Sequence, residues 1–246
     1  MAGEKAQTVI AWYFPKGQTV IKSVIFDFDD TLMDFIKMKE RAVESAVEAM
    51  IDAGLSLPKE TMVDKIYDVY QLEGIEDQQI FDKVLKQELG KIDYRILASG
   101  IIGYRRAKEG AMNLYPHVHL SLSSLLKRGL RLAIISDAPR LPVWLRICAL
   151  GISHYFDCVV TFDDSGERKP SPKPFQLALN YLKLNCDEVL MVGDWVERDI
   201  LGAKNLGMKT VFARYGATLG HQNSGADYEI DDVLEILKIV EKENKT

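Results

Sequence analysis

The segment that most limits how this chain can fold is Val20-Ile21-Lys22-Ser23-Val24-Ile25-Phe26, followed at once by Asp27-Phe28-Asp29-Asp30-Thr31. Its β-branched and aromatic residues fit a strand buried on both faces, the pattern of a parallel sheet. The aspartates then fall at the carboxyl end of that strand, where open α/β sheets bind their ligands. In extended backbone Asp27 and Asp29 project to one side and can share a hard cation such as Mg2+. The competing reading is an acidic cap for a helix beginning near Phe35, a role open to Asp30 or Asp34.

From Phe35 to about Asn113 the pattern is helix upon helix. Ala42, Val43, Ala46, Val47 and Met50 recur at helical spacing and stop at Gly54. Further helical stretches follow around Ile66, Val84 and Leu97, punctuated by Pro58, Gly74 and Gly90. Beyond Pro116 strands alternate with helices. Strands are expected over 130–135, 156–162, 189–192 and 210–213, and residues 163–173 read as a polar loop. Repeated β-α-β with short connections means a parallel, doubly wound sheet. Residues 21–34 and 114–246 therefore read as an α/β core, and residues 35–113 as a helical insertion over the end of the first strand. Residues 1–20 read either as a hairpin feeding that strand or as a flexible leader.

Composition narrows the function. A net charge of −5 gives no electrostatic footprint for nucleic acid or an anionic membrane surface. No apolar run is long enough to span a bilayer and no signal peptide is evident, so a cytoplasmic location is expected. The three cysteines, Cys148, Cys158 and Cys186, have no close metal-binding spacing and are expected as buried, reduced thiols.

Polar residues recur where strands end: Ser136-Asp137 after one, Asp194 after another, with Asp199 on the turn that follows. Lys169 stands in a proline-rich loop, Glu167-Arg168-Lys169-Pro170-Ser171-Pro172. Each could be a helix cap or a solvated charge, but one crevice would collect them all.

The ordered set Asp27-Phe-Asp29-Asp-Thr31, Ile135-Ser136-Asp137, Lys169-Pro-Ser-Pro-Lys-Pro-Phe175 and Val192-Gly193-Asp194 with Asp199 resembles the haloacid dehalogenase superfamily. The resemblance covers nearly everything from Ile21 onward. It implies a Rossmann-like core of five strands, with the Asp27 and Asp194 strands side by side, and an α-helical cap. It also implies roles. Asp27 becomes the nucleophile that forms an aspartyl-phosphate, and Asp29 the general acid and then base. Mg2+ is held by Asp27, Asp194 and the backbone carbonyl of Asp29, with Asp199 supporting it. Lys169 neutralises charge, and Thr31, Ser136 and Asp137, together with Lys169, meet the phosphate.

The implied function is a Mg2+-dependent phosphatase acting on a small phosphorylated metabolite. The stretch Ser136-Asp-Ala-Pro-Arg140 and Trp195 resemble archaeal members that act on glyceraldehyde 3-phosphate. Phosphoglycolate, other sugar phosphates and nucleoside monophosphates stay open. A dehalogenase lacks the second acid that Asp29 provides. A phosphosugar mutase commonly brings a histidine from the cap, and residues 35–112 contain none. A non-catalytic phosphate-binding module would not need every reactive position filled. Trp195 reads as a wall against the cap or as a packed residue, packing being favoured, and Arg105, Arg106 and Lys108 as readers of a second anionic group or, the favoured reading, a solvated helix face.

Overall fold

Strand β1 (Ser23–Phe26) is buried along its whole length, as its unbroken apolar sequence requires. The computed structural model describes residues 20–217 and 223–245; the hairpin reading of residues 1–20 lies almost wholly outside them. The other strands are β2 (Arg131–Ile135), β3 (Cys158–Val160), β4 (Val189–Gly193), β5 (Lys209–Ala213) and β6 (Tyr228–Ile230). All pair in parallel, in the order β3-β2-β1-β4-β5-β6. Ser23 is in register with Arg131 on one side and Val189 on the other, so β1, β2 and β4 end together. That alignment carries Asp27, Ser136 and Asp194 to one edge of the sheet.

Alternation along the strands separates two cores. Val24, Phe26, Leu132, Ile134 and Val192 face helices α5 (Val118–Lys127), α6 (Arg140–Ala149) and α10 (Ile236–Lys245). Ile25, Ala133, Ile135 and Met191 face α8 (Pro172–Leu182) and α9 (Leu201–Lys204). Each fully buried aliphatic or aromatic side chain here contributes about 1.5–3 kcal/mol.

Between β1 and β2 lie four helices, α1 (Phe35–Asp52), α2 (Lys59–Glu73), α3 (Ile80–Leu89) and α4 (Tyr94–Ala111). They bury Val43, Val47, Met50, Ile66, Val84 and Leu97 in a core of their own. The two chain segments joining this cap to the sheet are tied to each other. The Asp34 N–H donates to the Asn113 carbonyl (3.2 Å) and the Tyr115 N–H to the Leu32 carbonyl (3.0 Å).

Three features depart from the sequence reading. A sixth strand, β6, pairs with β5 through only three residues, too short to carry a periodic signal. The expected strand over 156–162 shrinks to β3, and the expected loop begins with a short helix, α7 (Phe162–Ser165). Thr161 and Asp164 start that helix by capping each other's backbone, which ends the strand. The cysteines are unpaired but none is buried: Cys148 is exposed on the outer face of α6, and Cys158 and Cys186 are half-buried. Among the described residues no helix is long and apolar enough to cross a membrane.

Candidate active site

Asp27 leaves β1 with its N–H donating to the Val192 carbonyl at 2.8 Å, which pins it beside β4. Into this strand end reaches Lys169, only 4% exposed. Its ammonium donates to Asp27, to Asp199 Oδ1 (2.6 Å) and to the Ile135 carbonyl (3.2 Å). Lys169 is held at the backbone as well, where its N–H donates to Asp137 Oδ1 (2.8 Å). The Lys169–Pro170 bond is cis. Asp199 arrives on a π-helical turn, Val196–Ile200, and its Oδ2 accepts from the Trp195 N–H (3.0 Å). Gly193 makes the approach feasible: a Cβ there would sit 2.3 Å from Asp199 Oδ2.

Asp27, Asp194 and Asp199 each offer an oxygen within 4.8 Å of the others. Burial pushes the Asp27 carboxyl well above its ordinary range, with Asp199 and Asp194 adding to the rise against the pull of Lys169. Burial also raises Asp199, and it lifts Asp194, with help from Asp199 and Asp30, to about 8. Lys169 pays the opposite desolvation cost, but Asp199 and Asp27 outweigh it and hold the ammonium charged. Three clustered carboxylates, Asp27 and Asp199 buried and Asp194 half-buried, outnumber the single ammonium. An all-oxygen donor set in that state fits a hard divalent cation rather than a thiophilic one.

The fourth acid expected at the metal, Asp29, stands apart. Its carboxylate accepts from Arg146 Nη2 (3.2 Å) through Oδ2, while Oδ1 is buried with no hydrogen-bond partner. That leaves Asp29 its backbone carbonyl for a cation, the atom the resemblance implied. Asp34 is the N-cap of α1, its Oδ1 accepting from the Lys37 N–H (3.2 Å), and the helix start has a second carboxylate acceptor in Asp30. Asp30 adopts φ 58° and its Oδ1 accepts from the Ile36 N–H (3.0 Å). Its carbonyl is crowded by Gly216, where a Cβ would lie 1.6 Å away, so only glycine fits opposite that turn.

Of the four residues expected at the phosphate, two are turned to other work. Thr31 is fully buried and its hydroxyl donates to Asp194 Oδ1 (3.0 Å), so it orients an acid and does not line the cavity. The Asp137 carboxylate accepts from Lys169 and from Arg198 Nη1 (3.3 Å). Ser136, Asp137 and Lys169 all line the cavity.

That cavity, about 690 Å³, is floored by Asp27, Asp29, Ser136, Lys169, Asp194 and Asp199. The loop Glu73–Asp77 between α2 and α3, with Lys83, closes the cap side. Trp195 is a wall rather than the packed residue expected: 36% of it is exposed, and the Arg198 guanidinium lies 3.8 Å from its ring centre. Arg105 and Arg106 are exposed, as expected, but Lys108 is half-buried among Arg146, Glu76 and Asp29.

Sequence reasoning missed Arg146 and Glu76. Arg146 is 1% exposed, and its Nη1 donates to Glu76 Oε1 (2.7 Å) while Nη2 holds Asp29. A signal existed: Arg146 shares the buried face of α6 with Val143 and Ile147, where a charge needs a partner.

Comparison with known proteins agrees with this geometry. Residues 24–213 match the family model of the haloacid dehalogenase-like hydrolases. A glyceraldehyde 3-phosphate phosphatase of Methanocaldococcus jannaschii is 35% identical over 227 residues, spanning 92% of this chain and 100% of the relative. Its counterpart in Pyrococcus abyssi is 36% identical, over 92% of this chain and 96% of the relative. Among solved structures, a HAD phosphatase from Thermococcus onnurineus superposes with a TM-score of 0.68 at 25% identity. That match covers 91% of this chain and 100% of the other.

Proposed function

The chain belongs to the haloacid dehalogenase-like hydrolases, as one of their phosphatases, and from that premise we propose a Mg2+-dependent reaction on glyceraldehyde 3-phosphate through an aspartyl-phosphate at Asp27. The observation that carries the reading is the position of Asp29. It lines the same cavity as Asp27, two residues further along the chain, with Oδ2 held by Arg146 and Oδ1 buried and unpartnered.

Asp27 attacks phosphorus; the new O–P bond forms as the ester P–O bond breaks. Asp29 gives its proton to the departing oxygen. Burial raises the Asp29 carboxyl above its ordinary range, against the pull of Arg146, which favours a protonated acid at the start. Asp29, now a carboxylate, takes a proton from water as the water oxygen attacks phosphorus. The Asp27–phosphorus bond breaks, releasing inorganic phosphate and restoring Asp27. Lys169 keeps a fixed positive charge against Asp27 and the phosphoryl oxygens. Ser136 offers its hydroxyl from the end of β2, and Thr31 and Asp137 act at one remove by holding Asp194 and Lys169. Asp27, Asp194 and Asp199, with the Asp29 carbonyl, would hold Mg2+, which when bound offsets the repulsion between carboxylates and phosphate.

The substrate tail meets a cap side bearing Glu73, Glu76 and Asp77 against Lys83. Such a wall disfavours a second carboxylate and suits a short neutral chain with hydroxyl or carbonyl groups. Glyceraldehyde 3-phosphate has that chemistry, and two relatives named for that activity, at 35% and 36% identity, support it. Phosphate release should be measured on glyceraldehyde 3-phosphate, phosphoglycolate, hexose phosphates and nucleoside monophosphates. The expected kcat/KM for glyceraldehyde 3-phosphate exceeds that for phosphoglycolate by at least about tenfold. A preference for phosphoglycolate would overturn the tail reading, and release that survives exhaustive chelation would overturn the metal.

A further inference from the structure

Arg146 lies deep between sheet and cap, where an arginine is costly. Replacing buried ion groups with apolar side chains is often neutral or stabilising, so such a group is a candidate for fixing geometry. The geometry here is specific. The two terminal nitrogens of one rigid guanidinium fork reach two acids from different parts of the molecule: Asp29 at the end of β1 and Glu76 in the α2–α3 loop. Two rings flank it, Phe35 at 4.9 Å and Phe28 at 5.8 Å from ring centre to guanidinium carbon. The loop is steadied beside Glu76 by buried Lys39, whose ammonium donates to the Ile75 carbonyl (2.6 Å) and lies 4.5 Å from the Tyr70 ring centre.

We propose that Arg146 is a positioning residue that transmits docking of the Glu76 loop to Asp29, holding the Asp29 carboxyl through Oδ2 in one orientation at the cavity wall. The inference rests on the phosphatase reading above. With the loop docked, Glu76 fixes one arm of the fork and the rings fix its plane, so the second arm can hold Asp29 in a single orientation. With the loop away, Nη1 loses its acid and the fork can turn. Closure over substrate would then align the acid only when the cavity is covered.

The test is leaving-group dependence in the full-length enzyme with saturating Mg2+, using 4-nitrophenyl phosphate, phenyl phosphate and glycerol 1-phosphate. A good leaving group needs little help from an acid and a poor one needs much. Arg146→Met should lower kcat/KM, which reports transfer to Asp27 and not the later hydrolysis common to all substrates, about 100-fold on phenyl and glycerol phosphates but only about threefold on 4-nitrophenyl phosphate. Arg146→Lys should recover part of the loss, since one ammonium can pair either acid but cannot fork both. Glu76→Gln should steepen the dependence in the same direction but less, and should add nothing in the Arg146→Met background. Equal losses on all three substrates, or independent multiplying effects of Arg146 and Glu76, would overturn the proposal. Circular dichroism shows whether Arg146→Met folds; if it does not, Arg146→Lys and Glu76→Gln decide, and an unchanged dependence in both overturns it. The two readings fail differently. A wild-type enzyme that releases no phosphate with Mg2+ sinks the phosphatase reading, whereas an active wild type with uniform losses sinks only the role of Arg146.

Discussion

At the scale of single residues, the site depends on groups that hold other groups. Thr31→Val removes the hydrogen bond to Asp194 at nearly constant volume. The expected result is a Mg2+ requirement raised about tenfold, as for other residues that orient metal ligands, with kcat at saturating Mg2+ close to wild type. Gly193→Ala should be harsher, because the added methyl meets the Asp199 carboxylate and the glycine end of β4 cannot yield. Metal titrations should show affinity lost with the fold retained. A third expectation concerns pH. Asp194 is raised from the ordinary carboxylate range to about 8 in the metal-free fold. Between pH about 4 and about 8 the unfolded chain has lost this proton and the fold keeps it, so raising pH destabilises the metal-free protein across that window. Bound Mg2+ needs the ionised form, so thermal stabilisation by Mg2+ should grow as pH rises from about 5 to about 8. A Mg2+-induced shift in Tm that is flat or falls over that range would contradict the assignment.

At the scale of elements, the α2–α3 loop should govern selectivity while the strand ends govern chemistry. Lys39→Met removes the ammonium that holds the Ile75 carbonyl, leaving that oxygen unpaired on the side of the loop. The expected effect is a KM for the phosphate ester raised several-fold, with Mg2+ dependence unchanged. Steady-state kinetics across the ester panel would check it. The elements also explain what the sequence could reveal. β1, β2 and β4 were legible because a strand buried on both faces reads as an unbroken apolar run, and the acids follow directly at its end. The four cap helices were legible from their 3.6-residue spacing and glycine stops. Strand β6 was not, since three residues joined to β5 by backbone bonds carry no period of their own. Helix α7 was not, because its start is set by side chains capping backbone within one turn. The roles of Thr31 and Asp137 and the packing of Arg146 escaped for a common reason. A sequence shows which polar residues sit near a site, but not which neighbour each one faces. Trp195 was read as packed because its surroundings come from the π-helical turn, which re-aims it towards Arg198 and the cavity.

At the scale of the whole molecule, the sheet collects Asp27, Ser136, Lys169, Asp194 and Asp199 at one edge, and the four-helix cap lays an acidic loop across it. The cap joins the sheet through two paired segments. Movement there would leave the strand-end groups in place while uncovering the cavity. Every group assigned to bond making and breaking lies outside residues 35–113. The account therefore stands or falls on the covalent role of Asp27, and trapping tests it most directly. Asp29→Asn keeps the nucleophile and impairs hydrolysis of the phospho-enzyme. Mixed with Mg2+ and labelled 4-nitrophenyl phosphate, it should retain label after acid quench, and peptide mapping should place that label on Asp27. The same treatment of Asp27→Asn should retain none. Label mapped to any other residue, or no label from wild type and Asp29→Asn while wild type turns over with Mg2+, would contradict the mechanism.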